Sequence, residues 1–64
     1  MKITINCHIN TRGGTIKDAT FPYQIPEHYF DRPFDTLTYQ DIEELVFNMD
    51  KLDIVVLDFE PSTR

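Results

Sequence analysis

The stretch INTRGGTI, residues 9–16, decides how the first half of the chain folds. It joins two segments that are typical of β-strands. In Lys2–Asn10 apolar and polar residues alternate, and the segment from about Thr15 to Tyr23 is rich in Thr, Ile, Phe and Tyr. Paired glycines between two such segments predict a β-hairpin, and its loop length decides which side chains face the core.

The apolar face of the first strand selects the register of this hairpin. A loop of Gly13 and Gly14 alone would place Asp18 and Gln24 opposite isoleucines. A loop of Arg12, Gly13 and Gly14 sets Thr11 opposite Thr15 and gives the pairs Ile9–Lys17, Cys7–Ala19, Ile5–Phe21 and Ile3–Tyr23. Such a loop needs a left-handed residue near its end, which glycine adopts without steric cost. We therefore interpret Arg-Gly-Gly as a turn and not as an RNA-binding segment, since those are repeated and disordered.

One helix is predicted in the second half of the chain. Pro26 suits the first position of a short helical turn over 27–30, which Pro33 would end. The sequence TYQD, 38–41, matches a capping box with Asp in place of the usual Glu. A buried stripe at helical spacing follows, formed by Ile42, Leu45, Val46 and Met49. We expect this helix to end between Met49 and Lys51.

The sequence LDIVVLDF, 52–59, predicts a third strand that is apolar on both faces. Simple alternation places Ile54 and Val56 on one face, and Val55, Leu57 and Phe59 on the other. Pro22 favours an edge position for the second strand, and a right-handed crossover places the third strand on the far side of the first. The predicted fold is an α+β domain of ββαβ order, with a three-stranded antiparallel sheet (order 2-1-3) and one helix packed on one face. Residues 1–60 would form this single domain and 61–64 a frayed tail.

The supply of reactive residues argues against catalysis. The only cysteine, Cys7, falls on the buried face of a strand, where a thiol behaves as a small hydrophobe. The only serine, Ser62, lies in the predicted tail, and both glycines belong to the turn. We expect no enzyme activity, no cofactor and no metal site. A lone cysteine, with neither a signal segment nor a membrane-length apolar run, leads us to expect a cytoplasmic protein without a membrane partner.

Charge is distributed unevenly along the chain, whose formal net charge is −5. Residues 1–26 carry three basic and one acidic side chain, for +2, whereas residues 27–64 carry ten acidic and three basic ones, for −7. Most of the surface should therefore repel phosphate backbones and attract a protein partner with a basic surface.

Three groups of residues are candidates for contacting such a partner. An acidic docking surface would comprise Asp31, Asp35, Asp41, Glu43, Glu44 and Asp50, for which an ordinary solvated face is the alternative. Tyr29 and Tyr39 are expected to be exposed, whereas Phe21, Phe34 and Phe47 are expected in the core. Val55 and Leu57 would leave apolar area on the uncovered face of the sheet, to be covered by a partner, a second copy or the 27–36 loop.

The leading hypothesis is a small acidic, non-catalytic protein-binding module. It would act as an inhibitor or regulator that occupies a surface of a larger protein, as many small phage- or plasmid-encoded proteins do, and in one version it would mimic nucleic acid. Two alternatives stay open. One is a homodimer built through the last strand. The other is weak nucleic-acid binding by the N-terminal hairpin through Lys2, His8, Arg12 and Lys17.

Overall fold

Three strands and one main helix follow one another in the predicted ββαβ order. The computed structural model describes residues 1–14 and 16–62. Its elements are β1 (Lys2–Asn10), β2 (Ile16–Gln24), a 3₁₀ helix (Phe34–Thr36), α1 (Tyr39–Asp50) and β3 (Ile54–Pro61). The strands form one antiparallel sheet in the order β2-β1-β3, and α1 packs on one of its faces. The predicted fold class and strand order are confirmed.

The hairpin has the register that its buried face requires. Ile3 pairs with Tyr23 and Ile5 with Phe21, and the other two predicted pairs are also present. Gly14 adopts a left-handed φ of 79°, and its N–H donates to the Thr11 carbonyl at 3.0 Å. The predicted Thr11–Thr15 pair lies outside the described residues. The interpretation of Arg-Gly-Gly as a turn is confirmed.

Both ends of α1 carry caps. The Thr38 hydroxyl accepts from Asp41 N at 3.2 Å, and the Asp41 carboxylate accepts from Thr38 N at 2.7 Å, which completes the capping box. At the other end Lys51 is left-handed, with φ 59°, and its N–H donates to the Phe47 carbonyl at 2.9 Å. Aspartate therefore replaces the usual Glu of this motif without loss of either bond.

The core lies between α1 and the sheet. It comprises Ile3, Ile5, Cys7, Ile25, Ile42, Leu45, Val46, Ile54 and Val56. Cys7 is fully buried as predicted, and this burial raises the pKa of its thiol. Two residues expected inside are half-exposed instead, Met49 and Phe47. Met49 lies in the last turn of α1, beyond the buried middle turns. Phe47 follows Val46, and the 100° step of a helix turns it away from the buried stripe.

The loop between β2 and α1 differs from the prediction. Residues 27–30 form no helix, because Tyr29 N donates to the Pro26 carbonyl in a single turn and His28 is left-handed, with φ 64°. A right-handed helical turn cannot continue through a left-handed residue. The helical turn of this loop occurs later, as the 3₁₀ helix Phe34–Thr36.

A β-bulge interrupts the simple alternation of β3. Neighbouring residues of β1 pair with Val56 and Asp58, so Leu57 is an extra residue on β3. Because of the extra residue, the later residues of β3 lie on the opposite face of the sheet from the one that simple alternation predicts. Phe59 therefore lies on the core side, and the prediction that it shares a face with Val55 and Leu57 was wrong.

The face of the sheet that no helix covers is mostly polar. Its exposed side chains include Lys2, Asn6, Asn10, Asp18, Thr20, Gln24, Asp58 and Glu60. Cross-strand contacts join His8 to Asp18 at 3.1 Å and Thr20 to Asn6 at 3.2 Å. On β3 the apolar exposure of this face is confined to Val55 and Leu57. On β2, Ile16 and Pro22 also expose apolar surface on this face. Of the three β3 residues that simple alternation places on the uncovered face, only Phe59 is absent from it.

Candidate protein-binding surface

Three of the six predicted docking carboxylates have partners within the fold. The first, Asp41, accepts from Thr38 N in the capping box and also contacts the Arg32 guanidinium. The pKa of Asp41 is lowered, mainly by the hydrogen bond from Thr38 N. The Thr38 hydroxyl and the Arg32 guanidinium lower it further, whereas partial burial acts in the opposite direction. This carboxylate therefore stays charged as part of the helix cap.

Glu43 and Asp50 hold α1 to the two outer strands. The Glu43 carboxylate accepts from Val56 N on β3 at 2.9 Å. The Asp50 carboxylate accepts from the Tyr23 hydroxyl on β2 at 2.7 Å. Burial of Tyr23 and its bond to this carboxylate raise the pKa of Tyr23 to about 12.

The other three carboxylates are exposed. Asp31 and Asp35 lie in the loop before α1, and Glu44 lies on the helix. None of the three accepts a hydrogen bond from another side chain or N–H group in the part of the chain that the structure describes. Of these, only Glu44 belongs to the same face of α1 as the half-exposed Phe47, three residues later.

The two predicted tyrosines are exposed, and both also have contacts within the fold. Tyr29 accepts from Asn48 Nδ2 at 3.2 Å and packs edge-on against Phe30 with ring centroids 4.9 Å apart. Tyr39 packs in the same manner against Phe59, with centroids 5.7 Å apart. Each ring presents part of its surface to solvent, and each helps to attach a loop or a strand to α1.

A cleft between α1 and the start of β3 gathers apolar and acidic groups that the sequence reasoning did not bring together. This α1–β3 cleft has a volume of about 260 Å³, and its lining includes Glu43, Glu44, Phe47, Asn48, Leu52 and Asp53. Phe47 is 51% exposed and Leu52 37% exposed. The Lys51 ammonium lies over the Phe47 ring, 5.8 Å from its centroid. The angular position of Phe47, off the buried stripe, was the signal in the sequence that could have revealed it.

A second groove is formed by the segment that follows β2, together with Met1. It has a volume of about 370 Å³ and is lined mainly by Ile25, Pro26, Phe30, Phe34 and Leu37. Glu27, His28 and Arg32 also line it, so its charges are of both signs. None of the predicted docking residues lines this groove, and its mixed rim favours no single class of ligand.

The outer edge of β3 can be assigned from its pairing with β1. Ser62 N donates to the Lys2 carbonyl at 2.8 Å, so even-numbered residues of β1 direct their backbone groups towards β3. Val56 and Phe59 pair with odd-numbered residues of β1. Their backbone N–H groups therefore point away from the sheet, to the position that an added strand would occupy.

Carboxylates already occupy this edge. Val56 N donates to Glu43, and Phe59 N donates to the Asp58 carboxylate at 2.9 Å. Pro61, the next residue that faces outward, has no N–H group. Bulges, charges and prolines are the usual means by which edge strands avoid pairing with other chains. The N–H of Ile54, which pairs with Ile9, also faces outward. Two carboxylates and a proline thus obstruct strand addition along the part of the edge from Val56 to Pro61.

Within residues 1–14 and 16–62, no group of three or more His, Cys, Asp and Glu side chains is arranged to hold a metal ion. No helix among the described residues has the length and apolar character that crossing a bilayer requires. Comparison of the chain with protein-family models, curated proteins and solved structures gives no match.

Proposed function

We propose that this protein is a small, acidic, non-catalytic protein-binding module that inhibits or regulates a larger protein by occupying a basic surface on it. The observation that carries the proposal is the α1–β3 cleft, where a half-exposed phenylalanine lies among carboxylates. Exposed aromatic side chains commonly anchor interfaces, and surrounding charges of one sign accelerate association with an oppositely charged partner. A single, buried cysteine, Cys7, suits a cytoplasmic location.

Two features favour the cleft over the other candidate surfaces. Glu44 and Asp53 line it with carboxylates that the fold does not use, whereas Asp41, Glu43 and Asp50 are engaged in internal hydrogen bonds. A nucleic-acid mimic must present its carboxylates for direct contact with the partner. The three carboxylates bonded within the fold keep their charge but have oxygen atoms already occupied by internal donors. Pairing of β3 with a second copy would have to displace the carboxylates on its edge, which argues against the dimer hypothesis.

The test is site-specific photo-crosslinking in cells of the source organism. A benzophenone amino acid at position 47 would replace an exposed aromatic ring with a reactive one of similar shape. We expect it to crosslink a discrete protein, and we expect Glu44→Lys together with Asp53→Lys to abolish that product. The same amino acid at position 60, on the polar face of the sheet, is the matched control. Equal crosslinking from both positions, or products insensitive to the charge reversals, would refute the proposal.

A further inference from the structure

The size of the α1–β3 cleft limits what can enter it. Its volume of about 260 Å³ is below the roughly 300–1,000 Å³ typical of pockets for whole small molecules. The cleft is also open on the surface of a helix, where a partner protein can approach without rearrangement of the chain. A space of this kind suits a single large side chain of a docked protein.

The walls of the cleft favour a cation. The Phe47 ring already has a cation over it, since the Lys51 ammonium lies 5.8 Å from its centroid. Lys51 is exposed, and no carboxylate of the described residues holds its ammonium within ion-pair distance. An exposed contact of this type is weak, so an incoming cation can replace it. Glu44 and Asp53 supply negative charge at the same place.

Arginine fits these walls better than lysine. A guanidinium is planar, is more weakly hydrated than an ammonium, and can stack on an aromatic face while it donates to carboxylates at its edge. The aliphatic part of the side chain could lie on Leu52, whose surface is 37% exposed.

We propose, as an extension of the proposed function, that the α1–β3 cleft binds an arginine side chain of the partner protein. The guanidinium takes the place of the Lys51 ammonium on the Phe47 ring and pairs with Glu44 and Asp53. The partner is accordingly a protein that presents an arginine on a basic surface, and this contact supplies both the charge recognition and the aromatic anchor.

The experiment is an NMR titration of the ¹⁵N-labelled protein with the peptide acetyl-Ala-Ala-Arg-Ala-Ala-amide, and with its lysine and citrulline counterparts. Citrulline keeps the shape of arginine and removes the charge. We expect the arginine peptide to shift the amides of residues 44–53 and to bind about fivefold more tightly than the lysine peptide. The citrulline peptide should produce no saturable shift.

Protein variants separate the contributions of the cleft. Phe47→Leu should abolish the preference for arginine over lysine, and Glu44→Gln should weaken arginine binding several-fold. Glu60→Gln, which removes a carboxylate from the far face of the sheet, should leave binding unchanged. Equal binding of the citrulline and arginine peptides, equal effects of Glu44→Gln and Glu60→Gln, or shifts confined to residues outside the cleft would overturn the inference. Crosslinking from position 47 would still stand in those cases, so the two proposals fail separately.

Discussion

Replacement of Glu43 by alanine should destabilise the fold and open the edge of β3. Its carboxylate accepts from Val56 N at 2.9 Å, and Val56 is almost completely buried. A hydrogen bond to a charged group contributes about 1.5–3 kcal/mol, and an unsatisfied, partly buried N–H costs a similar amount. We therefore expect Glu43→Ala to lower the free energy of unfolding by about 2 kcal/mol. For a domain of this size that corresponds to a fall of roughly 8–16 °C in Tm. Glu43→Gln keeps a neutral acceptor and should lose about half as much.

The assay is urea denaturation followed by circular dichroism, combined with amide hydrogen exchange at Val56. Glu44→Ala is the matched control, because it removes the same charge from the next position of the same helix without removing a hydrogen bond. We expect it to change stability by less than about 0.5 kcal/mol. Exchange at Val56 should accelerate in Glu43→Ala and not in Glu44→Ala. Equal stabilities for the two alanine variants, with unchanged exchange at Val56, would show that the carboxylate does not hold the edge.

Three further predictions concern the hairpin and the titrating groups. Gly14→Ala should lower the free energy of unfolding in urea by about 1 kcal/mol, because Gly14 has a φ of 79°. Gly13→Ala should lower it less, because the added methyl group meets no atom and Gly13 has no positive φ. The pKa of Asp41 is lowered on folding, so its stabilising effect is present above its unfolded pKa and is lost as the pH falls through its folded pKa. The stability difference between wild type and Asp41→Asn should therefore shrink as the pH falls below about 4, the ordinary range of an aspartate. Absorbance at 295 nm should show one tyrosine that ionises near pH 12. Tyr23→Phe should remove this ionisation, and Asp50→Asn should shift it to lower pH. A wild-type titration that is complete well below pH 12 would contradict the assigned bond.

The hairpin was predictable because its two alternatives differ at every position. A slip of one residue exchanges the two faces of a strand, so the row of isoleucines on β1 permits only one loop length. The end of the sheet carries no such signal. The bulge at Leu57 inserts one residue into an apolar segment. The sequence of this segment is equally compatible with a regular strand and with a bulged one. The position of Phe59 could therefore not be read from alternation.

The binding surface was less predictable than the fold for a related reason. Helical spacing identifies the residues that lie on the buried stripe, but the exposed phenylalanine of α1 was assigned to the core by its residue type rather than by its angle. The hydrogen bonds of the acidic residues depend on which strand faces α1, and this is fixed by tertiary structure. Adjacent Glu43 and Glu44 are indistinguishable in sequence, yet one holds β3 and the other lines the cleft with a carboxylate that the fold does not use.

This division of the acidic residues determines how a mutational scan of the surface must be interpreted. Charge reversal at Asp41, Glu43 or Asp50 removes a hydrogen bond of the cap, of the strand edge or of Tyr23, so a loss of binding there would follow from a loss of structure. Reversal at Glu44 or Asp53 changes the electrostatic field of the cleft and leaves those bonds in place. A basic partner that senses the charge of this face should therefore respond to Glu44→Lys and Asp53→Lys at full retention of the fold. If only the three internally bonded positions affected binding, the effect would belong to stability, and the acidic face would have no direct role in recognition.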